Sequence, residues 1–244
     1  VWYEEAEELY RRLLALPGLK PIGIFSHLAM AGQSVAATEE QARRLEGLIV
    51  RLKAGGLPVG ICHMANSAGL IRFPSLRFDM VRPGLILYGV SPLKEGVPLD
   101  LKRALSLKSR VRFLKTIPTG QTVGYGGTFR AQRPTRVATV PVGYAHGYVR
   151  ALSDRAEVLI RGMRARVIGR ITMEDLMVDV TDLSEVQVGD EVVLIGAQGQ
   201  GEITALELAK MARTIPYEIL AGLSERIPRI FLGQEADPSV FRSF

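Results

Sequence analysis

Cysteine is nearly absent from this sequence: Cys62 is the only one in 244 residues, which excludes an intrachain disulfide. Long apolar runs are also missing. The longest uncharged stretch, from Leu57 to Ile71, is interrupted by Asn, Ser, Gly and Pro and does not read as a membrane span. The first residues, Val1-Trp2-Tyr3-Glu4-Glu5, lack the basic start and apolar run of a signal peptide, so a cytoplasmic protein is expected. Histidine is scarce. His27, His63 and His146 fall in no metal-ligand spacing, and no Cys/His cluster accompanies them. No P-loop, GxGxxG or GxSxG motif occurs. The net charge of +6 suits an acidic or phosphorylated ligand, but the basic residues are spread along the chain without interleaved aromatics. Nucleic acid and membrane are therefore not expected partners.

What is present is a change of pattern near residue 100. Before it, helix and strand signals alternate. Glu5 to Leu16 has helical spacing, with Leu9, Leu13 and Leu16 on one face, and Pro17-Gly18 ends it. Thr38-Glu39-Glu40-Gln41 reads as a capping box opening a helix with the stripe Leu45, Leu48, Ile49 and Leu52. Short apolar strands at residues 22–25, 59–62 and 78–81 end at Ser26-His27, His63 and Arg82-Pro83-Gly84. This βαβ rhythm argues for parallel strands carrying polar residues at their C-terminal ends, where α/β folds build sites. After residue 100, Leu107, Val111 and Phe113 alternate with Arg110, Arg112 and Lys115, the period of a half-exposed strand, and further strands follow, several separated by Gly-rich turns. The strands are expected around 107–113 and at 136–142, 156–161, 165–171 and 191–195, with a late helix opened by Thr204-Ala205-Leu206-Glu207. The fold class expected is α/β plus β. Residues 1–100 form part of an α/β barrel, and residues 101–244 a mostly β domain.

Three places hold residues suited to chemistry. Ser67, in Asn66-Ser67-Ala68-Gly69 at a helix start, is either a phosphate contact or only an N-cap. Arg82-Pro83-Gly84 is either a cation and a close backbone approach beside a ligand, or a turn with a surface arginine. Tyr125, between the glycines of Val123-Gly124-Tyr125-Gly126-Gly127, is either a general acid/base or a packed aromatic in a tight turn. The residues alone leave these alternatives open.

Taken in order, Ser26-His27-Leu28-Ala29, His63-Met64-Ala65-Asn66-Ser67-Ala68, Val81-Arg82-Pro83-Gly84-Leu85-Ile86-Leu87-Tyr88-Gly89 and Val123-Gly124-Tyr125-Gly126 resemble the alanine racemase family. So do Pro141-Val142-Gly143-Tyr144-Ala145, Gly169-Arg170-Ile171-Thr172-Met173-Glu174, Ile215-Pro216-Tyr217-Glu218 and Ile227-Pro228-Arg229. The resemblance runs through essentially the whole chain. It implies the C-terminal portion of a (β/α)8 TIM-type barrel followed by the β domain, pyridoxal 5'-phosphate as cofactor, and a head-to-tail homodimer with shared sites. The implied activity is interconversion of L- and D-alanine, supplying D-alanine for peptidoglycan.

By the same resemblance Tyr125 is the catalytic acid/base, reaching the partner subunit's cofactor, with His27 and Arg82 in the chain of hydrogen bonds that supports it. Arg82 faces the pyridine nitrogen, and Ser67, Gly84, Leu85 and Tyr217 surround the phosphate. Met173 approaches the substrate carboxylate, and Tyr144 and Arg170 line the substrate entrance. The sequence departs from the family pattern at Thr172, Glu174 and His146, where Cys, Asp and Asp are usual. It also lacks the family's N-terminal motif with the lysine that holds the cofactor as a Schiff base: all seven lysines, Lys94 among them, stand in other contexts. The expectation is that the isolated chain is inactive and needs an N-terminal segment that this sequence does not contain. The competing readings are a non-catalytic binding or assembly module, a racemase of another amino acid, and a basic RNA-binding β module.

Overall fold

The computed structural model describes residues 1–93 and 99–232, so Lys94 and residues 233–244 of the second expected domain lie outside the described residues. The chain divides into two compact units, Val1–Ala104 and Leu105–Phe244.

In the first unit three strands, β1 (Gly23–Phe25), β2 (Ile61–Asn66) and β3 (Met80–Arg82), lie side by side in chain order and are all parallel. The helix α2 (Val35–Ala54) links β1 to β2. It buries Leu45, Leu48, Ile49 and Leu52, as the apolar stripe predicts, against Met64 and Cys62 of β2. Its start differs from the expectation. Ser34 is the N-cap, accepting from the Ala37 N–H, four residues before the expected cap Thr38. Thr38 is instead an interior, fully buried residue whose hydroxyl donates back to the Ser34 carbonyl at 2.6 Å. That releases Gln41 from any capping role.

The helix α1 (Ala6–Ala15) forms where the spacing predicts, but turns a different face inward. Tyr10 is buried, with its hydroxyl donating to the Pro58 carbonyl at 2.6 Å, and Ala6 and Leu14 pack beside it. Leu9 and Leu16 face solvent. An aromatic ring with a polar tip covers more of the core than a leucine, and its hydroxyl satisfies a backbone carbonyl that the leucine face would leave unpaired.

The strand β2 begins and ends later than residues 59–62. Gly60, at φ +67°, makes the close turn into it, where a Cβ would strike the Ile22 carbonyl. The short helix α3 (Ser67–Arg72) follows directly, capped by Asn66, whose side-chain oxygen accepts from the Gly69 N–H at 3.0 Å. Ser67 is therefore the first helical residue and not the N-cap.

The second unit is mostly antiparallel β. Its main sheet contains β5 (Phe113–Ile117), β8 (Thr135–Val140), β9 (Glu157–Ile160), β10 (Met163–Ile168), β11 (Leu176–Asp179), β12 (Glu191–Gln198) and β13 (Gly201–Ile203). Their order is β13-β12-β9-β10-β11-β8-β5, and β4 (Leu107–Arg110) pairs with β12. The single strand expected around 107–113 is thus two: β4 and β5 join different partners, separated at the buried Val111. A small antiparallel pair, β6 (Thr122–Val123) and β7 (Phe129–Arg130), flanks the glycine-rich turn. The core is aliphatic, with Val137, Val158, Ile160, Val167, Leu176 and Leu194 fully buried. Helix α4 (Ala205–Ala212) is capped by Thr204 as expected. The Glu207 carboxylate does not complete the box but pairs with Arg164 of β10. Helix α5 (Pro216–Ala221) opens with proline in its first turn. Among the described residues no helix is long and apolar enough to cross a membrane.

Candidate active site

In the first unit the polar residues gather at the C-terminal ends of the three parallel strands. Arg82, the last residue of β3, is the centre of the cluster. One guanidinium nitrogen donates to His63 Nδ1. The other donates to the Ser26 carbonyl at 2.8 Å and lies 3.4 Å from His27 Nδ1 and 3.5 Å from the Met64 carbonyl. The Phe25 ring sits 5.3 Å below the guanidinium carbon and stacks on the His63 ring at 5.1 Å. Arginine only donates, so His63 Nδ1 must be an acceptor and the His63 ring neutral. Its electrostatics agree: partial burial, and then the adjacent Arg82 charge, hold the His63 imidazole below its ordinary pKa.

That shift has a measurable consequence. With the folded value below the unfolded one, the unfolded chain takes up the proton first as the pH falls. The His63 contribution to stability is therefore full above about pH 6.5, the ordinary imidazole value, and is lost as the pH drops through it toward the folded value. Thermal melts between pH 7.5 and 5.5 should show the wild-type chain losing more stability than His63→Asn, whose side-chain oxygen keeps an acceptor for Arg82 but does not titrate. Equal pH slopes for the two chains would refute this.

His27 is held from its other side. Asn66 Nδ2 donates to the Leu28 carbonyl at 3.0 Å and lies 3.4 Å from His27 Nε2. Gln41 on α2 bonds to the Ser26 hydroxyl, the His27 carbonyl and the Ala29 N–H. Ser67 is buried, and its hydroxyl accepts from the Gly84 N–H at 2.9 Å, joining the β2 and β3 loops. No atom lies within 4 Å of where a Cβ on Gly84 would stand, so space is open beside that pair. Leu85, buried, starts the turn Leu85–Tyr88, whose first N–H groups have no acceptor within the turn. The structure therefore brings His27, Ser67, Arg82, Gly84 and Leu85 to one end of one sheet.

Sequence reasoning missed three members of this group. His63 was visible at a strand end but had no assigned role. Asn66 and Gln41 gave no signal, because their partners are contributed by residues 12 to 39 positions away.

Tyr125, Met173 and Tyr217 belong to the second unit. Tyr125 stands between Gly124 at φ +75° and Gly126 at φ +73° and is 73% exposed. The glycines are required. A Cβ on Gly124 would meet the Arg170 backbone N–H group's nitrogen at 2.9 Å, and one on Gly126 would meet the Arg170 guanidinium at 3.3 Å. Met173 is exposed on the Thr172–Asp175 turn. Tyr217 stands in the first turn of α5, where burial raises its pKa and keeps the hydroxyl protonated as a donor. Tyr144 is exposed at the start of the turn Tyr144–His146.

The site residues suit a phosphorylated pyridine ring. Ser67 and the neighbouring backbone N–H groups offer donors beside open space, and Arg82 is a cation whose orientation is fixed by imidazole and carbonyl acceptors. The hydrogen bonds that hold Arg82 and Ser67 run to His63, Ser26 and Gly84, none of them to a lysine.

Comparison with known proteins bears on both units. Residues 1–92 match the family model "Alanine racemase, N-terminal domain", and residues 104–231 match "Alanine racemase, C-terminal domain". An alanine racemase of Carboxydothermus hydrogenoformans is 43% identical over 95% of the chain, and one of Symbiobacterium thermophilum is 46% identical over 95%. The match covers 63% and 62% of those relatives, so the chain spans about three fifths of their length. Among solved structures, alanine racemase from Bacillus anthracis with bound L-Ala-P superposes with a TM-score of 0.88 at 35% identity, covering 95% of this chain and 60% of that one. Alanine racemase from Bartonella henselae with covalently bound pyridoxal phosphate gives 0.77 at 33% identity, covering 94% and 62%.

Proposed function

The chain belongs to the alanine racemase family, and from that premise we propose that it serves a pyridoxal-phosphate-dependent enzyme interconverting L- and D-alanine for peptidoglycan. The reading includes a (β/α)8 barrel to which the first unit contributes, a cytoplasmic homodimer, and alanine as substrate. The observation that carries it is the fixed Arg82 beside the Ser67–Gly84 pair at the strand ends.

The cofactor supplies an electron sink for the charge left when the substrate loses its Cα proton. The remaining work falls to protein groups. Ser67, Tyr217, the backbone N–H of Leu85 and, once released from the Ser67 hydroxyl, that of Gly84 would hold the phosphate. Arg82 would face the ring nitrogen and, as a permanently charged guanidinium that only donates, would give up no proton to it. A ring nitrogen given no proton by Arg82 would favour return of a proton to Cα over side reactions. Tyr125 removes or returns that proton on one face. His27, between Arg82 and Asn66, orients the polar chain that serves it.

The test is direct. A polypeptide containing this chain, with pyridoxal phosphate added, should form D-alanine from L-alanine, and alanine should be the best substrate in a panel of amino acids. Cofactor binding without D-alanine formation would refute the reading. A different preferred amino acid would keep the reaction and change the substrate.

A second reading, that the 244-residue polypeptide by itself is a binding module, is favoured by the lysine contexts. None of its seven lysines stands in a motif like the one that holds the cofactor in the family it resembles. Incubated with pyridoxal phosphate and borohydride, this polypeptide alone should give no stoichiometric adduct at a single lysine. Such an adduct, together with racemase activity, would show the polypeptide to be self-sufficient.

A further inference from the structure

Within the second unit the turn Gly143–Gly147 and the segment Thr172–Asp175 are bound to one another. The Tyr144 and Ala145 N–H groups donate to the Thr172 and Met173 carbonyls, each at 3.0 Å. His146 closes the first turn. The Gly143 N–H donates to His146 Nδ1 at 3.1 Å, and the His146 N–H donates to the Gly143 carbonyl at 3.0 Å. A neutral imidazole that accepts at Nδ1 carries its proton on Nε2. That nitrogen lies 3.5 Å from the Glu174 carboxylate, whose other oxygen is held by Arg226 at 3.0 Å. The second segment is fixed by its own turn: the Thr172 N–H and hydroxyl both donate to the Asp175 carbonyl, at 2.9 and 3.0 Å.

The peptide groups around Met173 are thus pinned through the Met173 carbonyl on one side and the Thr172–Asp175 turn on the other. The Met173 N–H has no hydrogen-bond partner among the described residues, and the residue is 54% exposed. An unpaired N–H on a fixed turn is a ready donor to a carboxylate.

We propose that His146 is a positioning residue: by accepting from Gly143 it holds the Gly143–Gly147 turn, which holds the Met173 peptide so that its free N–H meets the carboxylate of the amino-acid substrate. This rests on the racemase reading above, in which Met173 approaches that carboxylate. The carboxylate does not change charge during the reaction, so the contact is the same in ground and transition states and governs KM more than kcat.

The experiment uses an active racemase containing this chain. His146→Ala should raise KM for alanine about tenfold, the worth of one charge-assisted hydrogen bond, with kcat changed by less than about threefold. His146→Asn places Oδ1 near the position of Nδ1 and should restore KM to within about threefold of wild type. Amide exchange without cofactor supplies an independent readout. Peptides spanning residues 172–175 should exchange faster in His146→Ala than in wild type and normally in His146→Asn. An unchanged KM in His146→Ala, or a folded His146→Asn that fails to rescue, would overturn the inference while normal wild-type turnover leaves the racemase reading intact. Absence of turnover in the wild type would overturn both.

Discussion

In an active racemase containing this chain, Tyr125→Phe lowers kcat by about 10²–10⁴-fold in both directions, the usual cost of losing a general acid or base. The substitution keeps the ring and removes only the hydroxyl. Both directions suffer, because a group that abstracts the Cα proton from one enantiomer must deliver it when the other is consumed. The structure makes the variant a clean one. Tyr125 is 73% exposed and its hydroxyl has no partner among the described residues, so no packing or hydrogen bond within the unit is lost. The turn keeps its shape through Gly124 and Gly126, whose positive φ values and close approach to Arg170 do not depend on the tyrosine. Cofactor binding, followed by absorbance, should be retained, because the proposed phosphate contacts are other residues. Undiminished turnover in both directions would remove Tyr125 from the mechanism.

The largest loss of stability is expected from Gly143→Ala. Gly143 has an extended backbone, so strain in φ is not the issue. The carbonyl oxygens of Thr172 and Met173 already stand closer than 3.0 Å to where the Cβ would be, and backbone atoms cannot rotate aside as a flexible side chain would. The two segments must separate, which breaks the Tyr144–Thr172 and Ala145–Met173 hydrogen bonds. Overpacking and two lost bonds together cost about 3–5 kcal/mol. Gly120→Ala is the control. Gly120 has φ +86° and nothing within 4 Å, so only the left-handed backbone penalty of roughly 1–2 kcal/mol applies. Urea unfolding of the two variants beside wild type measures the difference. A Gly143→Ala chain no less stable than Gly120→Ala would show that the segments can part at little cost.

Some of the fold was legible because it follows from local rules. The stripe Leu45, Leu48, Ile49 and Leu52 repeats with the helical period, and all four residues are buried. The strands expected at 136–142 and 156–161 form at Thr135–Val140 and Glu157–Ile160, and both pack their two faces into the core. Local rules misled where two residues competed for one role. Ser34 and Thr38 are both good caps, and Asn66 and Ser67 stand side by side. The choice between them was made by which residue the sheet buries: Thr38 is enclosed by the core, and Ser67 is turned toward Gly84. The face of α1 was misjudged for the same reason, since Tyr10 finds the Pro58 carbonyl 48 residues away.

By itself the sequence determined the two kinds of architecture, the family motifs, and the candidate residues Arg82, Ser67 and Tyr125, since these depend on residue type and order along the chain. Only the tertiary structure decided which side chains serve them. His63 accepts from Arg82, Asn66 reaches His27, Gln41 holds the loop after β1, and His146 caps Gly143 beneath Met173. Hydrogen bonds are directional and act over about 3 Å, so a histidine is assigned as acceptor or donor only once its neighbours are in place. His63 and Asn66 lie on β2, where parallel pairing brings distant residues together, and Gln41 lies on α2, so the spacing of these residues along the chain carries no record of their contacts.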